Sequence, residues 1–243
     1  MCTVTFVPAG EKIFITSNRD EKYWRAQATA PEIQDFGRGK ILFPKDAKAG
    51  GTWFAVHENG NAVVLLNGCR VRHESRPPYR RSRGLILLDL INSECPTSHF
   101  QLITLDGIEP FTAIIWQQQL LFVCRWDGTN KSHEKIDASV AHIWSSVTLY
   151  DDVSTANRKK WFDDWLAETV CPDLEQLLYF HQHTGDGDSH NDLRMNREGL
   201  VHTVSITAAT ITREFISMCY LDLNDNARHE ERLKLETAIP SLR

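Results

Sequence analysis

The stretch MCTVTFVPAGEKIFITSNRDE, residues 1–21, holds two β-rich apolar runs, "TVTFVP" and "KIFITSN", separated by Gly10. Apolar runs split by a glycine turn predict a β-hairpin. A hairpin returns the end of its second strand to the start of its first, so Ser17 to Glu21 would come back beside Cys2. Initiator methionine is usually trimmed before a small residue, and cysteine is small. Trimming would leave Cys2 with both a thiol and an α-amine. An unperturbed α-amine has a pKa of ~7.7–8.0, which lets it act as a base near neutral pH, and a nucleophile activated by its own terminal amine is a known catalytic solution. Arg19 would favour the thiolate, and Asp20 would accept a hydrogen bond from the α-ammonium. The plainer reading of the same residues is a small apolar filler and a surface ion pair of little energetic weight.

Outward from the hairpin, residues 22–49 read as a long, irregular, polar loop with Pro31, Gly37, Gly39 and Pro44. Long loops inside compact domains are often functional. "GGTWFAVHENGNAVVLLN", residues 50–67, predicts two strands around an Asn-Gly turn. Asn67 closes the second. A strand-end carboxamide suits an oxyanion donor, whose removal typically lowers kcat ~10²–10³-fold; Asn67-Gly68 is also a common turn pair. Gly50 and Gly51 would allow close backbone approach to a ligand. Trp53 would line an apolar pocket, or serve as a core aromatic. Within the basic, Pro-containing loop of residues 73–84, "RPPYRRSR" (76–83) suits an anionic substrate group or is a solvated connection.

A helix is expected at 84–93, then strands at 99–105, 111–117 and 119–127 and a short one near 140–145. Helical spacing of Leu166, Val170, Leu174, Leu177 and Leu178 predicts helices over 155–183, split at Pro172. Trp161 and Trp165, one turn apart, should pack in the core. His181–Asp192 matches no metal-ligand spacing, and its glycines mark a turn-rich flap over the substrate site. Two long strands, 200–208 and 212–223, close the chain. The order strands, helix, strands, helices, strands predicts one α+β domain over 1–243.

Composition narrows the function. A formal net charge of -5 argues against nonspecific nucleic-acid binding. The longest apolar runs, Ala62–Leu66 and Leu85–Leu90, fall far short of the ~20 residues of a membrane span. The first ten residues have no signal-peptide pattern, so the expected location is cytoplasmic. Six scattered cysteines without a CxxC pair argue against a zinc or dithiol site. Cys124 and Cys219 read as small core hydrophobes.

"SNRDE" close to an N-terminal "MC", followed by "GGTWFAV…NGNAVVLLN", resembles the NRDE family, whose animal member is the transport and Golgi organisation protein 2. That family in turn is similar to N-terminal-nucleophile hydrolases, nearest to bile-salt hydrolases and penicillin V acylases. The resemblance implies a four-layer αββα sandwich and a catalytic set matching Cys2, Arg19, Asp20 and Asn67. Here Arg19 and Asp20 are adjacent, whereas the hydrolases separate them; adjacent strand residues point to opposite faces. The hydrolases' second Asn is missing from "HIWSSVTLYDD", where the Ser146 hydroxyl stands as a weak substitute. Their late Arg has no match, and His202 lies in that region. Asn18, Trp53 and Ser146 are the candidate substrate-binding residues. The implied activity is hydrolysis of a non-peptide acyl amide without cofactor or metal. The alternative is a trafficking protein on the same fold that binds haem or an acyl-CoA/lipid-like ligand; the sequence singles out no axial haem ligand. Related hydrolases often form homo-oligomers.

Overall fold

The N-terminal hairpin is β1 (Thr3–Ala9) and β2 (Lys12–Lys22), turned at Gly10 with φ 61°. Thr3 pairs with Asn18 and Ala9 with Lys12. This computed structural model describes residues 3–236. Four strands follow: β3 (Thr29–Asp35), β4 (Lys40–Lys45), β5 (Phe54–His57) and β6 (Ala62–Asn67). Then come α1 (Arg83–Ile91), α2 (Pro96–Leu102), β7 (Phe111–Gln117), β8 (Leu120–Trp126), β9 (Lys131–Ile136) and β10 (His142–Ser145). The remainder is α3 (Asp152–Glu168), α4 (Leu174–His183), β11 (Asn196–Arg197), β12 (Val201–Ile211), β13 (Phe215–Asp222) and β14 (Arg228–Lys234).

The strands build two seven-stranded antiparallel sheets. The first runs β10-β1-β2-β12-β13-β14, with β11 on β12; the second runs in chain order from β3 to β9. Strand alternation decides the layers. From β1 and β2, Val4, Phe6, Ile13 and Ile15 face the second sheet and meet Trp53, Val64 and Trp116 in the central core. Val7 and Phe14 point the other way, to Phe162, Leu177 and Phe180 of α3 and α4. On the outer face of the second sheet, Val63, Leu65 and Ala113 pack against Ile86, Leu87 and Leu90 of α1 and Phe100 of α2. The result is the α+β, four-layer αββα sandwich. Each fully buried Leu, Ile or Phe contributes ~1.5–3 kcal/mol.

The helix ends follow local chemistry. Ser82 caps α1 by accepting from the Leu85 N–H, and Asp151 caps α3 by accepting from the Ser154 N–H. Asp173 and Gln176 form a capping box directly after Pro172, at the break between α3 and α4 that the proline predicts.

Four readings are corrected. Residues 22–49 are not an irregular loop: they contain β3 and β4. Residues 99–105 do not form a strand: Pro96 opens α2, and the Gln117 side chain accepts from the Thr97 N–H in its first turn. The chain closes with three strands rather than two, because β14 follows β13, and β9 adds a strand not expected from sequence.

Candidate active site

The site lies where β2 and β6 end. Arg19 and Asp20 project to opposite faces of β2, as their adjacency predicts. Opposite them β12 carries a bulge: Asp20 pairs with Thr203 and Arg19 with Ser205, leaving Val204 extra. Bulges re-aim side chains and are frequent beside active sites.

Arg19 faces the space between the sheets. Its Nη2 donates to Asp46 Oδ2 at 2.7 Å, and its guanidinium lies 4.7 Å from the Trp53 ring centre. Glu21 is 3.7 Å away. Asp46 also takes Arg25 Nη2 at 2.9 Å on the same oxygen, while its Oδ1 accepts from the Lys48 and Ala49 N–H groups. Burial pushes the Asp46 pKa up, but the Ala49 N–H and the two arginines outweigh it and hold the carboxyl below its ordinary value. Trp53 is buried, and its indole N–H donates to Thr207. It is at once a core aromatic and the wall against which Arg19 stacks.

Asn67 is half-buried. The buried Ser146 hydroxyl donates to the Asn67 carbonyl at 2.8 Å, so Ser146 steadies the end of β6 rather than meeting its carboxamide. A cavity of about 150 Å³ is lined by Arg19, Arg25, Asp46, Trp53, Asn67 and Arg83. Asn67 and Arg83 also line a wider groove of about 560 Å³ with His73, Glu109 and Thr148. Arg19 and Arg25 border a third space of about 320 Å³ that includes Tyr23, His202, Val204 and Tyr220. The structure therefore brings Arg19, Trp53 and Asn67 together at one cavity.

Asp20 lies on the helix side. Its Oδ2 accepts from the Tyr150 hydroxyl and its Oδ1 from the Thr203 hydroxyl, each at 2.6 Å. Asn18 points the same way and reaches none of these cavities. Its carboxamide N–H groups go to the carbonyls of His181 and Leu193, and its oxygen is 2.5 Å from His181 Nδ1. His181 is fully buried; desolvation, with Arg158 nearby, lowers its pKa to about 3 and keeps it neutral. Cys2 lies outside the described residues; the described chain starts at Thr3, opposite Asn18.

The segment expected as a flap is folded mostly on itself. His181 and His183 belong to α4, and residues 186–192 fold onto their own side chains, with Asp192 accepting from the Asp186 and Gly187 N–H groups. None of the three cavities is lined by it. Gly51 does admit a close backbone neighbour, but that neighbour is α1: a Cβ on Gly51 would stand 2.4 Å from the Gly84 carbonyl carbon. Among the described residues no group of three or more His, Cys, Asp or Glu is placed to hold a metal, and no helix is long and apolar enough to cross a membrane.

The family described as Transport and Golgi organisation 2 matches residues 1–219. The chain belongs to this family. No curated protein sequence matches it. Among solved structures it is similar to the Caenorhabditis elegans N-acylethanolamine-hydrolyzing acid amidase ortholog, with TM-score 0.57 and 13% identity over 85% of this chain and 92% of that one. It is also similar to a C2A mutant of the conjugated bile acid hydrolase from Clostridium perfringens, with TM-score 0.55 and 8% identity over 100% of this chain and 99% of that one. At such identities the likeness is one of fold: this member of the Transport and Golgi organisation 2 family shares its αββα sandwich with these two proteins.

Sequence reading missed Asp46 and Arg25 on the cavity side and Tyr150, Arg158 and Thr203 on the helix side, whereas Arg83 belongs to the basic loop read as suited to an anionic substrate group. Nothing local marked the others.

Proposed function

We propose that this protein is an N-terminal-cysteine hydrolase of a non-peptide acyl-amide bond. The observation that carries the proposal is the convergence of Arg19 from β2, Trp53 beside β5 and Asn67 from β6 on one cavity, at the end of the sheet where the chain begins. Cys2, freed by removal of Met1, would lose its thiol proton to its own α-amine and attack the substrate carbonyl as thiolate. The Asn67 carboxamide and backbone N–H groups would hold the oxyanion. The resulting ammonium would return the proton to the leaving amine as the C–N bond breaks. Water would then cleave the acyl-thioester, releasing the acid and restoring the thiol. Asp20 would orient the amine. Arg19, fixed by Asp46, would favour the thiolate or meet the substrate. That the two solved neighbours are named as an amidase and a bile acid hydrolase supports a small-molecule substrate.

The test is amine release from a panel of N-acyl amides by wild type and Cys2→Ala. Wild-type turnover should fall by at least about 10³-fold in the variant at an unchanged melting temperature. Equal turnover by both proteins would rule the mechanism out. Saturable binding of haem or acyl-CoA, with no hydrolysis by either protein, would favour the binding-protein alternative.

A further inference from the structure

Around Asp20, the helix side of β2 holds buried polar groups, Tyr150, Thr203 and Arg158, that the proposed chemistry does not by itself require. An apolar layer would do for packing: further along the hairpin the same layer is filled by Phe14, Phe162 and Phe180. Replacing buried charged groups by apolar ones is often neutral or stabilising, so the retained polarity calls for a use.

Resting on the reading above, in which Asp20 orients the α-amine, we propose that Tyr150 and Thr203 are positioning residues that fix the Asp20 carboxylate, with Arg158 as the clamp on Tyr150. One hydroxyl donates to each carboxylate oxygen, both at 2.6 Å. The terminal torsion of a carboxylate is broad when unrestrained; a donor on each oxygen sets its plane. Thr203 owes its placement to the β12 bulge, which begins there. Tyr150 is 4% exposed, and its ring lies near two guanidinium groups, Arg158 at 3.5 Å and Arg197 at 5.5 Å from the ring centre.

Arg158 is fully buried and, among the described residues, has no carboxylate at ion-pair distance. Its Nε and Nη2 donate to the carbonyls of Asn191 and Asp192, and its Nη1 donates to the Thr3 hydroxyl. A guanidinium buried without a counter-ion is costly; carbonyl dipoles and the negative face of the Tyr150 ring offset that cost. The same side chain therefore holds Tyr150 and touches the residue next to Cys2. Among the described residues, the charged or titratable groups around this point include Arg158 from α3, Arg197 from β11, Asp151 at the α3 cap and His181 from α4, neutral through burial. A carboxylate with this surround stays in one orientation.

The experiment measures Cys2 alkylation by iodoacetamide in the full-length protein, for wild type, Tyr150→Phe, Thr203→Val and Thr203→Ser, across a pH series. Cys95, on the far side of the second sheet, is the internal reference, and Cys124, fully buried, reports loss of fold. The Cys2/Cys95 rate ratio should fall about tenfold or more in Tyr150→Phe and Thr203→Val. Thr203→Ser, which keeps the hydroxyl, should restore it to within about twofold. If Tyr150→Phe lets Cys124 label, the Thr203 pair decides. An unchanged ratio in the folded variants, with fast Cys2 in wild type, overturns the positioning role alone. A wild-type Cys2 no faster than Cys95 overturns the nucleophile reading and this proposal with it.

Discussion

Asp46 takes two arginines on one carboxylate oxygen and two backbone N–H groups on the other, while only 8% exposed. Removing one partner of such a buried cluster leaves the remaining charges uncompensated. Asp46→Asn should lower stability by about 3 kcal/mol at neutral pH, read by urea denaturation. The folded pKa of Asp46 is depressed, so its contribution is complete above the unfolded carboxylate value of ~3.9 and is lost as pH falls below that through its own lower value. Wild type should lose this advantage over Asp46→Asn in that acid window; a difference unchanged below it would contradict the assignment. His181 acts in a separate window. Its folded pKa of about 3 lies below the unfolded value of ~6.5, so the unfolded chain gains the proton first as pH drops. Stability should decline by up to about 1.4 kcal/mol per pH unit between ~6.5 and the folded value on this account. In His181→Gln that component of the slope should vanish; an identical slope between pH ~6.5 and ~4.5 in both proteins would show that His181 is not its source.

Among the elements, the legible ones were those whose pattern is local. The hairpin, the Asn-Gly turn between β5 and β6 and the Pro172 helix break are all readable within a short window of sequence. The missed strands are edge or near-edge elements: β3 carries Pro31, Glu32 and Asp35, β9 reads KSHEKI and β14 reads RHEERLK. Charge and proline at sheet edges block unwanted pairing, and the same residues erase the apolar alternation that marks a strand. Site residues divide in the same way. Arg19, Trp53 and Asn67 stand at strand ends in readable segments. Asp46 lies 27 positions from Arg19, in a stretch that looked like loop, and Tyr150 meets Asp20 across 130 positions. Such pairings exist only once the sheets are stacked. The contact between Gly51 and Gly84 is similar. A Cβ on Gly84 would lie 2.7 Å from the Thr52 carbonyl oxygen and 2.9 Å from its nitrogen. Helix propensity alone would make Gly84→Ala stabilising by roughly 1 kcal/mol. Crowding against the Thr52 backbone should reverse the sign and cost about 1–3 kcal/mol. A raised melting temperature in Gly84→Ala would refute the close approach.

At the scale of the whole molecule, two sheets pressed face to face bring the ends of β2 and β6, from different sheets, to one cavity, while helices cover both outer faces. This stacking lets Arg19 be held from the second sheet by Asp46 while Asp20, its neighbour in sequence, is held from the helix layer. The same arrangement separates the thiols. Cys124 and Cys219 are buried, which raises their pKa values to about 12 and about 11. Cys95 is raised by desolvation, but its contacts to Ser98, Thr97 and Gln117 outweigh that and bring it down to about 7. The central claim, a nucleophilic Cys2 with a free α-amine, is tested most directly by alkylating the purified native protein near pH 6.5 and mapping the label by peptide mass. The account predicts that Met1 is absent and that Cys2 labels first, ahead of Cys95, with Cys124 and Cys219 untouched. A retained Met1, or a Cys2 that labels no faster than Cys95, would contradict it.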